Sequence, residues 1–265
     1  MSLPEVESGP FRGNERLGRN TGEAALSLFF RPDERPDEAG FETALGEARS
    51  GRAVARISHR SADETGRVEL LCSGMTFDVA VLTPGAPCDA AISRIRYGFE
   101  PERDLEPLQA ITIAPGPHLA SAGGMPSVVR AMCGIAASVI GPLAVQAVGY
   151  GPAQTLMEPG YFMRVSETWL KGGPFPALGL TALLPNDDGS VRSQGLAHFL
   201  GQELQVQPAS GDAPATTLRT AIRLVDHLMR SGVPNDPIRI ELGDEGAVFV
   251  EPSRFGKLLL VWCGA

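Results

Sequence analysis

Residues 144–206, AVQAVGYGPAQTLMEPGYFMRVSETWLKGGPFPALGLTALLPNDDGSVRSQGLAHFLGQELQV, decide how the chain folds. They open on an apolar run ending in Gly149-Tyr150-Gly151-Pro152, which reads as a strand with a tight exit. Pro159 suits the first turn of a helix, where its missing N–H costs nothing. Phe162, Val165 and Trp169 share one face of that helix until Lys171-Gly172-Gly173 closes it. Residues 177–184 (ALGLTALL) read as a second strand. Asn186-Asp187-Asp188-Gly189 makes a turn, and GLAHFLGQELQV supplies a helical turn and a further strand ended by Pro208.

The flanking sequence continues the alternation. Residues 1–23 hold scattered charges, Gly and Pro without a period and read as an N-terminal arm, followed by an α+β domain over 24–265. Residues 24–30 (AALSLFF) form a buried strand, and Phe41, Ala44, Leu45 and Ala48 recur at helical spacing after the cap Asp37. Residues 68–71 and 75–82 are strands of a hairpin turning at Cys72-Ser73-Gly74, and residues 109–114 are another strand. Met125, Val128, Val129, Met132, Cys133, Ala136, Val139 and Ile140 stripe one helix face, and residues 143–148 form the strand after it.

Leu218, Ile222, Val225, Leu228 and Met229 stripe a last helix, with three closing strands beyond it. The plan is α+β, with mixed sheets and helices packed on one face in a split βαβ, ferredoxin-like arrangement. Two related halves, 24–152 and 153–265, remain open.

With 23 Lys and Arg against 31 Asp and Glu, the chain carries a net charge of -8 without a basic cluster, so nucleic acid is not an expected partner. No apolar run reaches the roughly 18 residues a membrane-spanning helix needs, and the first residues lack the apolar core of a secretory signal. A soluble, cytoplasmic protein is expected. Cys72, Cys88, Cys133 and Cys263 are far apart and lack zinc-ligand spacing. Cys72 and Cys133 read as core thiols, and neither metal nor cofactor is expected.

The strand ending in GYGPAQT and the segment SQGLAHFLGQELQV resemble an uncharacterised family of bacterial proteins described only as a domain of unknown function. Ser193, Gly195, Leu196, Phe199, Glu203, Leu204 and Val206 occupy its pattern, with Leu200 before Gly201 as a departure in spacing. The resemblance spans roughly residues 24–206. It supports the fold and carries no established chemistry.

Chemistry must therefore be read from the residues. Gly149-Tyr150-Gly151-Pro152 lacks the lysine of a phosphate loop, and Asn186–Gly189 lacks the distal Glu of a calcium loop. No nucleophile elbow or comparable local frame surrounds Ser121, Ser193 or Cys133, and of His59, His118, His198 and His227 the last, beside Asp226 at the border of a helix's apolar face, reads as a surface residue. His198 and Glu203 are the pair to watch, for a hydrolase or transferase, although a helix-end histidine and a carboxylate capping backbone N–H groups explain them equally. Tyr150, Gln154, Thr155 and Tyr161, with Trp169 as a core residue beside them, cluster at a strand end where ligands and partners dock in α/β folds. The leading expectation is a non-enzymatic protein-binding, regulatory or immunity-type accessory protein that meets a basic protein surface. Self-association is left open.

Overall fold

The computed structural model describes residues 25–47, 55–61, 66–83, 93, 95–100, 103–105 and 108–264. The N-terminal arm and Cys88 lie outside them. In chain order β1 (Leu26–Phe30) leads to α1 (Glu38–Gly46), β2 (Ala55–Arg60), β3 (Val68–Cys72), β4 (Met75–Ala80), β5 (Ile95–Tyr97) and β6 (Gln109–Pro115). A 3-10 turn at Pro117–Ala122 precedes α2 (Pro126–Ile140), which is followed by β7 (Ala147–Tyr150), β8 (Thr155–Met157) and α3 (Pro159–Leu170). Then come β9 (Ala182–Pro185), β10 (Val191–Gln194), α4 (Ala197–Leu200), β11 (Glu203–Gln207) and α5 (Pro214–Ser231). The chain closes with β12 (Ile238–Glu241), β13 (Ala247–Pro252) and β14 (Leu258–Cys263).

The strands make an α+β protein of two sheets. One runs β2-β3-β4-β6-β1-β7-β8-β5 and the other β12-β13-β14-β11-β10-β9. All neighbours are antiparallel except β5 with β8 and β11 with β14, so both sheets are mixed. β8 lies past residue 152 yet belongs to the first sheet, and the second sheet begins at Ala182.

Local chemistry starts and stops the helices. The Asp37 carboxylate accepts from Gly40 N at 2.8 Å at the start of α1, and Glu158 accepts from Tyr161 N at 2.6 Å at the start of α3. Pro126, Pro159 and Pro214 occupy first-turn positions, where no intrahelical N–H bond is lost. Arg130 of α2 donates to Trp169 O (2.6 Å) and Leu170 O (3.0 Å), closing the carbonyl end of α3, and its guanidinium lies 5.0 Å from the Trp169 ring.

β1 runs through the centre of the first sheet and is covered on both faces. Leu26 and Leu28 share the α2 side with Ile111, Ile113 and Val148, all inaccessible to solvent. Phe29 points the other way, into a second cluster with Leu105, Ala110, Ala147 and Leu156, against which Phe99 and Leu108 pack. In the second sheet Leu204, Val206, Val248, Val250, Leu259 and Val261 point inward to the main core, which also holds Ala221, Leu224, Val225 and Leu228 of α5.

Two apolar runs end up elsewhere than their hydrophobicity suggests. Residues 143–148 contribute strand only from Ala147, because the chain is still turning through residue 144 after α2. Residues 177–184 are strand only from Ala182. Ala177–Leu180 is a buried turn whose carbonyls are taken by side chains, Leu178 O by Tyr161 Oη at 2.8 Å and Ala177 O by Thr181 Oγ1. Burial satisfied by side-chain hydrogen bonds is thus mistaken for a strand. Conversely, β5 lies in a stretch without a sequence period, and β2 is a largely exposed edge strand.

Candidate functional site

The best-marked segment of the sequence becomes a joint between the sheets. β10 ends at Gln194, Gly195 turns with φ 88°, α4 makes a single turn, and Gly201 with φ 77° hands the chain to β11. Glu203, the first residue of β11, reaches back over this turn. Its Oε1 accepts from Gly195 N (2.8 Å) and Ala197 N (3.2 Å), and its Oε2 accepts from Leu196 N (3.2 Å) and from the Ser193 hydroxyl. Ser193 Oγ in turn accepts from Leu204 N at 2.8 Å. One carboxylate thereby satisfies the amides that a helix start leaves without partners.

Two glycines let the joint close. A Cβ on Gly195 would lie 2.7 Å from Ala153 Cα, so the turn rests on the exit of the first sheet, where Gln194 Nε2 also donates to Ala153 O at 2.9 Å. A Cβ on Gly124 would come within 1.8 Å of the His198 carbonyl oxygen. Only glycine permits that approach of the loop before α2 to α4.

His198 is therefore wedged rather than presented. Its Nε2 is buried without a hydrogen-bond partner, and its ring meets Tyr150 edge-on at 6.3 Å and Phe199 at 5.5 Å. Burial lowers its pKa below the ordinary 6.5, outweighing the Gly123 backbone, which acts in the opposite direction. No hydrogen bond or ion pair among the described residues joins His198 to Glu203, whose oxygens are committed to the turn. These two residues are neighbours in the fold without forming an acid–base pair.

The strand-end patch is distributed in the same way. Tyr150 is 1% exposed, stacked 6.2 Å from Phe199, with its hydroxyl buried and unpartnered, and burial pushes its pKa well above the usual 10. Thr155 is buried and donates to Gly179 O. Tyr161 is half-buried, donates to Leu178 O and stacks on Tyr97 at 6.2 Å. Gln154, with φ 50°, is exposed. Of the aromatic and polar residues expected to present themselves at this strand end, Gln154 faces solvent; Tyr150 and Thr155 are interior, as is the core residue Trp169.

The remaining candidates are scattered. His59 and His118 are exposed on separate elements. Asn186 through Gly189 form the solvated turn between β9 and β10, closed by Asn186 N to Ser190 O at 2.8 Å. Cys133 is fully enclosed, and burial pushes its thiol up to about 12, so it remains a protonated core residue. Cys72 is raised for the same reason. Among the described residues no group of three or more His, Cys, Asp or Glu is placed to hold a metal ion, and no helix is long and apolar enough to cross a membrane.

A further feature, carried by no sequence motif, lies on the second sheet. The face of that sheet turned away from α5 carries Phe249, Leu258, Leu260 and Trp262, all half-buried and none part of either buried cluster. The Phe249 and Trp262 rings stand 6.1 Å apart on paired positions of β13 and β14. Exposed Glu251 and Glu241 share that face, and Phe255, 87% exposed, tips the turn between the two strands. The signal was available in LLLVWC, whose apolar residues do not alternate with polar ones as a half-solvated strand requires. No family model, curated protein or solved structure matches the chain.

Proposed function

We propose that this chain is a cytoplasmic, non-enzymatic binding protein of regulatory or immunity type, whose partner is a protein with a basic surface. The observation that carries the reading is the outer face of the second sheet. Phe249, Leu258, Leu260 and Trp262 form a contiguous apolar area with Phe255 beside it and carboxylates at its margin. An apolar centre with aromatic anchors and a charged rim is the anatomy of a protein interface. The net charge of -8 accelerates encounter with a positively charged partner and discourages nucleic acid.

Affinity capture from the native lysate tests this, with the wild type, Leu260→Lys and Phe255→Ser as baits at low and high salt. The reading expects one basic protein held by the wild type, weakened by salt and lost from both variants. An identical set of proteins on all three baits sinks it.

A further inference from the structure

β12 ends the second sheet and pairs with β13. Leu242 N donates to Gly246 O at 2.8 Å, and the register places Ile240 opposite Val248 and Ile238 opposite Val250. Even-numbered residues of the strand therefore direct their amides and carbonyls toward β13, while Arg239 and Glu241 direct theirs to the sheet edge. The side chains of Arg239 and Glu241 stand on the outer face, and those of Ile238 and Ile240 on the α5 side. Ile238 is 46% exposed, a large apolar side chain at an edge.

We propose that β12 pairs edge to edge with β12 of a second copy of this chain, antiparallel about a two-fold axis at Ile240. That register sets Arg239 opposite Glu241 of the second copy, and Glu241 opposite its Arg239, at the positions whose backbone groups face outward. Ile240 meets its symmetry mate, and Ile238 comes opposite Leu242. Moving the axis to Arg239 or Glu241 places like charges face to face, which destabilises a strand pair. Pro237, the next edge-facing position, has no N–H, so the ladder ends there. A short edge strand with one charge of each sign resists arbitrary partners and matches its own inverse. Arg239 contacts Glu241 of the same chain at 3.3 Å, and in this register its guanidinium also faces Glu241 of the second copy.

The pairing is independent of the partner proposed above, because it is read on the purified chain alone. Sedimentation velocity should show a dimer for the wild type. Glu241→Arg and Arg239→Glu should each weaken it at least tenfold while retaining the native circular dichroism spectrum. An equimolar mixture of the two variants should dimerise again, since every Arg then faces a Glu. Amide exchange at Arg239 and Glu241 should slow as the wild type is concentrated, a readout that needs no variant to fold. A wild type monomeric at every concentration, a dimer indifferent to both reversals, a mixture that stays monomeric, or exchange independent of concentration overturns the proposal.

Discussion

The two sheets differ in what covers their second face: the chain itself fills that of the first, and the described residues leave that of the second half-exposed. The first is apolar on both sides at its centre, with Leu28 toward α2 and Phe29 in the cluster with Leu105 and Leu156. The second buries Leu259 and Val261 on the α5 side and leaves Leu260 and Trp262 half-exposed on the other. A face that a protein fills with its own chain is fixed for stability; one left apolar without such cover is available for binding. Substitution on the two second faces tests the contrast most directly. Phe29→Ala, at a site 2% exposed, should cost about 3–5 kcal/mol in denaturant unfolding. A loss under about 1 kcal/mol would mean that the second cover of the first sheet is loose.

The joint between the sheets gives the next largest effect. Glu203→Ala removes the acceptor of three backbone amides and of the Ser193 hydroxyl, and should cost about 2–3 kcal/mol in the same assay. Glu203→Gln keeps one acceptor oxygen and should cost less. If both variants unfold like the wild type, the carboxylate is not holding α4, and its presence needs another explanation.

Much of this architecture was legible in the sequence because it is written with the right period. The stripe from Val128 to Ile140 predicts α2, and the alternation of Val68, Leu70 and Cys72 predicts β3. Very short strands and polar edge strands carried too little period to be read: β8, inside the first sheet, has three residues, and β2, at its edge, exposes most of its side chains. The joint was half legible. Ser193, Gly195 and Glu203 stood out as a motif, but a cap and a catalytic acid use the same residue, and only the location of the amides separates them. Tyr150 and Thr155 misled because a polar side chain at a strand end marks a docking site only if the end is open. Here α4 closes it, with His198 and Phe199 against the Tyr150 ring.

His198 should make that closure sensitive to pH. Burial depresses its folded pKa below the unfolded 6.5, so the unfolded chain binds the extra proton more readily. Its contribution to stability is complete above about pH 6.5 and is lost as pH falls from there toward the folded pKa. Unfolding of the wild type and of His198→Phe, compared between about pH 7.5 and about pH 5.5, should show a gap that changes in this direction. A pH-independent gap would place the imidazole in solvent.

The smallest effect on folding is expected where the effect on binding should be greatest. Leu259 and Leu260 are consecutive in β14, and the strand's alternation sends the first, with no exposed surface, into the α5 core and the second to the outer face. Leu259→Ser should cost about 3 kcal/mol or more, since it leaves a cavity and buries a hydroxyl. Leu260→Ser should cost under about 1 kcal/mol, because the introduced hydroxyl remains within reach of water. If the two losses prove equal, some part of the chain covers the outer face as firmly as α5 covers the inner one, and that face is not a binding surface. If Leu260→Ser folds like the wild type yet releases the captured partner, the apolar side chain is present for the partner and not for the fold.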